Sequence, residues 1–114
     1  MAVFQVQQLG QARPANTTAV SIYSPASGIN AVLKTIVIAN TTGSSASYRI
    51  FHDDDGTTYD QSTALFYDVT IPANTSDVIE LSGGMNDSDG NFAVRTDTNN
   101  ALTFTLYGSE TTVA

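Results

Sequence analysis

The chain has 114 residues, no cysteine, and eleven acidic residues against four basic ones, for a net charge of −7. This length fits one domain with a modest core, and the lack of cysteine excludes a disulfide framework and a thiolate metal site. The four cations, Arg13, Lys34, Arg49 and Arg95, are scattered along the chain. Nucleic acid and anionic membranes need several converging cations and are therefore not expected as partners.

No apolar run is long enough to span a bilayer. The opening Met1-Ala2-Val3-Phe4-Gln5 lacks the basic segment and long apolar run of a secretory signal, so a soluble, unprocessed chain is expected. Apolar residues recur with period two, interrupted roughly every eight to twelve residues by turn-forming clusters, as in a sandwich or barrel. No helical stripe is present.

A first strand is expected over Ala2 to Gln7. Leu9 to Asn16 is polar and aperiodic, and Pro14, which has no amide donor, keeps it out of the middle of a sheet. Residues 1–17 therefore read as an N-terminal strand and extended arm. Thr18 to Ser24 follows, with Val20 and Ile22 on one face, and Ser24 to Gly28 turns the chain.

Ala31 to Asn40 is the strongest strand. Val32, Ile36 and Ile38 share a face with Lys34, while Leu33, Val37 and Ala39 line the other. Apolar residues on both faces predict a central strand, or one whose second face meets a partner. Ser47 to His52 sets Tyr48 and Ile50 against Arg49 and Phe51, and the acidic loop His52 to Asp60 comes next. Thr63 to Ile71 places Leu65, Tyr67, Val69 and Ile71 on one side and Phe66 on the other. Asp77 to Leu81 alternates, and Ser82 to Gly90 is a glycine-rich break. Phe92 and Val94 mark a seventh strand, and Leu102, Phe104 and Leu106 mark an eighth.

Residues 18–108 thus form an all-β domain of about eight strands, followed by a tail over residues 109–114. The connections are too short for helical crossovers, so pairing is antiparallel. A two-sheet β-sandwich is expected, with a jelly-roll order or a small barrel as its variants.

His52 is the single histidine and precedes three aspartates, but no serine or threonine sits in a nucleophile elbow. The acids lie mainly in loops, and no tryptophan offers a sugar platform. A non-enzyme is expected. Asp53, Asp55 and Asp60 form one oxygen-rich loop, and Asp87 and Asp89 another. These are the candidate calcium ligands, since calcium takes six to eight oxygens; no other cofactor is expected. An EF-hand is excluded, because Met85 stands at the first ligand position and Thr96 at the closing one. Four Asn-X-Ser/Thr stretches, starting at Asn16, Asn40, Asn74 and Asn86, read as turns in which Asn and Thr bond their own backbone.

Three segments carry a family resemblance: Leu9-Gly10-Gln11, the run from Lys34 to Gly43, and Phe104 to Glu110. With its Thr- and Asn-rich turns and single lysine, the chain resembles small β-rich virion proteins of tailed bacteriophages, the capsid cement or decoration and neck or tail accessory proteins. The resemblance implies a virion location, many repeated copies and a homo-oligomer, with a trimer favoured. It also implies seating against the major capsid protein or other virion proteins. On that reading Phe4, Leu9 and Arg13 contact a neighbour. A second class is a glycan- or receptor-binding module of a tail or fibre, for which Phe51, Tyr59 and Tyr67 would converge beside the acidic loop.

Overall fold

The computed structural model describes residues 5–112. Eight strands form two antiparallel four-stranded sheets: β1 (Gln7–Ala12), β2 (Val20–Tyr23), β3 (Ile29–Asn40), β4 (Ala46–Asp53), β5 (Ala64–Ile71), β6 (Ser76–Met85), β7 (Asn91–Thr96) and β8 (Leu102–Thr112). One sheet runs β1-β8-β3-β6 and the other β2-β7-β4-β5. Only β4 and β5 pair as sequence neighbours; every other connection crosses between sheets. This is the jelly-roll order, and two separate sheets rule out the barrel.

The core lies between the sheets. Leu33, Ile36 and Ile38 of β3 and Leu102, Phe104 and Leu106 of β8 meet Tyr48 and Ile50 of β4 and Phe92 and Val94 of β7, all buried. Fully burying one such side chain contributes about 1.5–3 kcal/mol. The Tyr48 and Phe104 rings meet edge to face at 6.3 Å, an arrangement that adds about 0.5–1.5 kcal/mol beyond burial.

Two polar struts also join the sheets. Tyr48 Oη donates to Asp77 Oδ2 of β6 at 2.9 Å, and Tyr23 Oη donates to Glu110 Oε2 of β8 at 2.6 Å. Burial first, and then the bonded carboxylate, pushes both phenols well above their ordinary value. At one end Asn40 is a buried hub: its Nδ2 donates to the carbonyls of Ser44, Ile71 and Pro72. Its Oδ1 accepts from the Thr42 amide and hydroxyl, so the turn expected at this Asn-X-Thr stretch is present. Asn16 likewise accepts from the Thr18 amide.

Bulges place several side chains differently from strict alternation. Against β8, Leu9 of β1 and Lys34 of β3 are each one residue in excess, Leu9 between the partners Leu106 and Tyr107 and Lys34 between Tyr107 and Gly108, so the two bulges flank Tyr107. The Lys34 bulge reverses the expected face of β3 up to that point: Leu33 is buried and Val32 exposed, and Ile36 and Ile38 then continue inward. In β5, Asp68 takes a left-handed φ of 55°, and Tyr67 and Asp68 together oppose Arg49. Phe66, Val69 and Ile71 therefore face the core while Leu65 and Tyr67 face out.

Boundaries also shift. The strand expected at Ala2 to Gln7 lies at Gln7–Ala12, so the segment read as an arm supplies an edge strand; residues 1–4 are outside the described residues. Gly83 and Gly84, read as part of a break, lie inside β6 opposite Leu33 and Val32. Residues 109–112, read as tail, extend β8.

Gly108 is where these irregularities meet. A Cβ there would overlap the Val32 carbonyl oxygen and stand 2.7 Å from Leu9 Cδ1. Gly108→Ala is expected to lower stability by about 1–3 kcal/mol, the usual cost of overpacking, as read from the urea midpoint. Gly43→Ala, with nothing within 4 Å, is expected to leave the midpoint unchanged or slightly raised.

Candidate functional site

The end of the sandwich opposite Asn40 is closed by two loops, residues 54–63 between β4 and β5 and residues 86–90 between β6 and β7. They touch. Asn91 Nδ2 donates to the Gly56 carbonyl at 2.8 Å, and a Cβ on Gly90 would stand 2.6 Å from the Asp54 carbonyl oxygen. Glycine at 90 is what lets the two backbones approach. The two oxygen-rich loops of the sequence are thus neighbours in space.

Their carboxylates are engaged by the loops themselves. Asp53, the last residue of β4, is nearly buried; its Oδ1 accepts from the Asp55 amide and its Oδ2 from the Thr58 amide. Asp60 Oδ1 accepts from the amide and hydroxyl of Ser62, and Asp87 Oδ1 accepts from the Asp89 amide. These contacts are Asx-type turn closures. Among the described residues, no three His, Asp or Glu side chains are grouped so as to hold one metal ion.

The electrostatics follow from these bonds. The Thr58 amide, then the Asp55 amide, hold the Asp53 carboxyl below the usual aspartate value of 3.8. Asp55 is pushed the other way, first by the Asp53 carboxylate beside it and more weakly by Asp87. Asp60 is lowered by its Ser62 bonds. Two carboxylates of one loop therefore titrate in opposite directions.

His52 sits just before Asp53 and, one position along β4, points inward rather than into the surface loop. Its ring lies 6.3 Å from Phe92. Its Nε2 is buried without a hydrogen-bond partner and stands 3.9 Å from Asp54 Oδ1. Two hollows share this histidine. One, of ≈ 410 Å³, is lined by Asn30, Ala31, His52, Asp54, Gly84, Met85 and Asn86. The other, of ≈ 240 Å³, is lined by Leu33, His52, Leu65, Leu81, Ser82 and Gly83. Among the described residues, no hydroxyl is hydrogen-bonded to Nε2. Amides, one carboxylate and an imidazole beside apolar walls suit reversible contact with a neutral polar group. Asn30 and Met85 are not legible as lining residues, because sequence patterning starts β3 at Ala31 and ends β6 at Leu81, whereas the strands run Ile29–Asn40 and Ser76–Met85.

On the outer face of the second sheet, Phe51, Tyr59 and Tyr67 converge: Phe51 lies 6.1 Å from Tyr59 and 6.5 Å from Tyr67. The Arg49 guanidinium stacks 3.9 Å from the Tyr67 centroid and makes a bidentate pair with Asp68, at 2.6 and 3.1 Å. Beside them Asp60, Gln61, Ser62 and Tyr67 line a shallow depression of ≈ 480 Å³.

Of the residues expected to contact a neighbour, Leu9 and Arg13 lie on β1 and the chain that follows it. Leu9 is half-buried and packs on the core. Arg13 donates to Thr41 Oγ1 and to the Asn100 carbonyl, clasping the chain after β1 to the β7–β8 turn. Phe4 is outside the described residues.

No family model matches the chain, and no curated protein matches it in sequence. Among solved structures it is similar to a chain of the "Structure of infectious bursal disease virus Gt strain", with 10% identity and a TM-score of 0.38. The match covers 94% of this chain and 32% of that one, so the chain spans about a third of the length of that neighbour.

The opposed shifts of Asp53 and Asp55 predict opposite substitutions. Asp53, depressed on folding, stabilises above 3.8, and that contribution is lost as pH falls through its folded value. Asp55, raised on folding, weakens the fold once pH rises above its unfolded value and most of all above its folded one. Asp53→Asn is expected to lower the urea midpoint at neutral pH, and Asp55→Asn to raise it. Both differences should shrink in acid below 3.8, as measured by unfolding across pH.

Proposed function

We propose that this chain is a non-enzymatic structural component of a bacteriophage virion, a capsid cement or decoration protein that stabilises contacts between capsid subunits as a homo-oligomer. The observation that carries the reading is the jelly-roll order itself, β1-β8-β3-β6 against β2-β7-β4-β5, an architecture recurrent in viral capsid and lectin domains. The sequence resemblance to phage virion proteins adds to it. Loops tied down by their own carboxylates suit a rigid part that is repeated many times and bound through surface complementarity.

A second reading is favoured by one arrangement. The Phe51–Tyr59–Tyr67 cluster beside the acidic loop is what a glycan- or receptor-binding module of a tail or fibre requires, since aromatic rings stack on apolar sugar faces. Burial of Phe51 and the Arg49 guanidinium on Tyr67 leave little free ring face, so this reading ranks second.

Purified full chain is mixed with empty shells assembled from a tailed-phage major capsid protein. Saturable co-sedimentation, with added density at regular shell positions by electron microscopy, is the expected result. No binding to shells, together with retention on a glycan array that Tyr67→Ala abolishes, would replace decoration with the second reading.

A further inference from the structure

The outer faces of the two sheets differ in charge. On β1-β8-β3-β6, the paired residues Val78, Val37, Thr105 and Gln11 form one outward row across all four strands. Glu80, Thr35, Tyr107 and Gln8 form the next. Val78 is 66% exposed, Val32 40% and Tyr107 36%. Gln11 Nε2 donates to Thr105 Oγ1 at 2.9 Å, so polar groups of the face are already paired with one another.

Of the eleven acidic residues, only Glu80 projects from this face, and exposed Lys34 lies on the adjoining bulge. Asp77 and Glu110, on the same strands, turn inward to Tyr48 and Tyr23. Asp68 is on the opposite sheet, and the others lie at the end of β4 or in the connecting loops. A chain of net charge −7 repels a copy of itself at separations within the Debye length, about 10 Å at 0.1 M salt. A face that carries a single carboxylate and exposes Val78, Val32 and Tyr107 is where two such copies meet with the fewest like charges brought together. A basic partner would instead be drawn to the acidic loop end.

We infer that the outer face of β1-β8-β3-β6 is a self-association surface on which a second copy packs sheet to sheet, centred on Val37, Val78 and Tyr107. Packing a face on its own counterpart is isologous and gives a two-fold dimer, in place of the trimer that the resemblance implies. The inference deepens the assembly reading above and rests on it in one respect, that the chain works in multiple copies.

The test is solution mass by light scattering on the full chain, from micromolar to millimolar concentration and at low and high salt. A monomer–dimer equilibrium that tightens with salt is expected, because screening relieves the residual repulsion. Val78→Glu and Val78→Lys should each be monomeric, and mixing the two should restore the dimer. Leu65→Glu, at an exposed position on the other sheet, should dimerise as the parent does. Circular dichroism and the urea midpoint report that each variant is folded. A parent that stays monomeric throughout, or any oligomer that Val78→Glu leaves intact, overturns the inference. Shell binding separates the two readings. A persisting dimer that ignores shells overturns only the virion role, and a monomer that still binds them overturns only this face.

Discussion

The first sheet depends on a register constraint around Tyr107. On one side of this residue β8 runs one residue short of β1, where Leu9 is bulged between Leu106 and Tyr107, and on the other one short of β3, where Lys34 is bulged between Tyr107 and Gly108. Because side-chain direction alternates with period two, each bulge reverses which residues face inward from that point on. The bulge on β3 is what allows Leu33, Ile36 and Ile38 all to enter the core, and Lys34 to stay in water. Glycine at 108 makes this geometry accessible, since the Val32 carbonyl and the Leu9 side chain occupy the space a Cβ would need.

From that register follows the rest of the sandwich. Phe104 and Leu106 reach Tyr48 and its neighbours across the interior, and the inward Asp77 and Glu110 meet the two tyrosine hydroxyls. Withdrawing a carboxylate even partly from water is costly unless it is hydrogen-bonded, and here each half-buried carboxylate accepts from a phenol of the opposite sheet. The acidic bias of the chain is therefore partly architectural. Two acids strut the sheets, and Asp53, Asp60 and Asp87 close turns. Asp68 pairs with Arg49, and the outer face of the first sheet is left almost free of charge.

Sequence periodicity was sufficient where pairing is regular. Tyr48 and Ile50 of β4, and Leu102, Phe104 and Leu106 of β8, are buried as alternation requires, and the two-sheet antiparallel sandwich follows from short polar connections. It failed at β3, where Val32 and Leu33 exchange faces, and at β5, where left-handed Asp68 turns Leu65 and Tyr67 outward. Gly83 and Gly84 read as a break, yet they continue β6, because a pairing partner decides strand membership more than local propensity does. The acidic loops were legible as oxygen-rich segments. Their meeting, the inward turn of His52 and the internal engagement of the carboxylates were not, since each depends on which strands lie side by side.

The most direct test of this account is the cross-strand ladder around Lys34, read by interstrand nuclear Overhauser contacts on the full chain. The account requires Thr35, not Lys34, to oppose Tyr107, with Leu33 opposite Gly108 and Ile36 opposite Leu106. A ladder in which Lys34 pairs with Tyr107 and Val32 points into the core would contradict it.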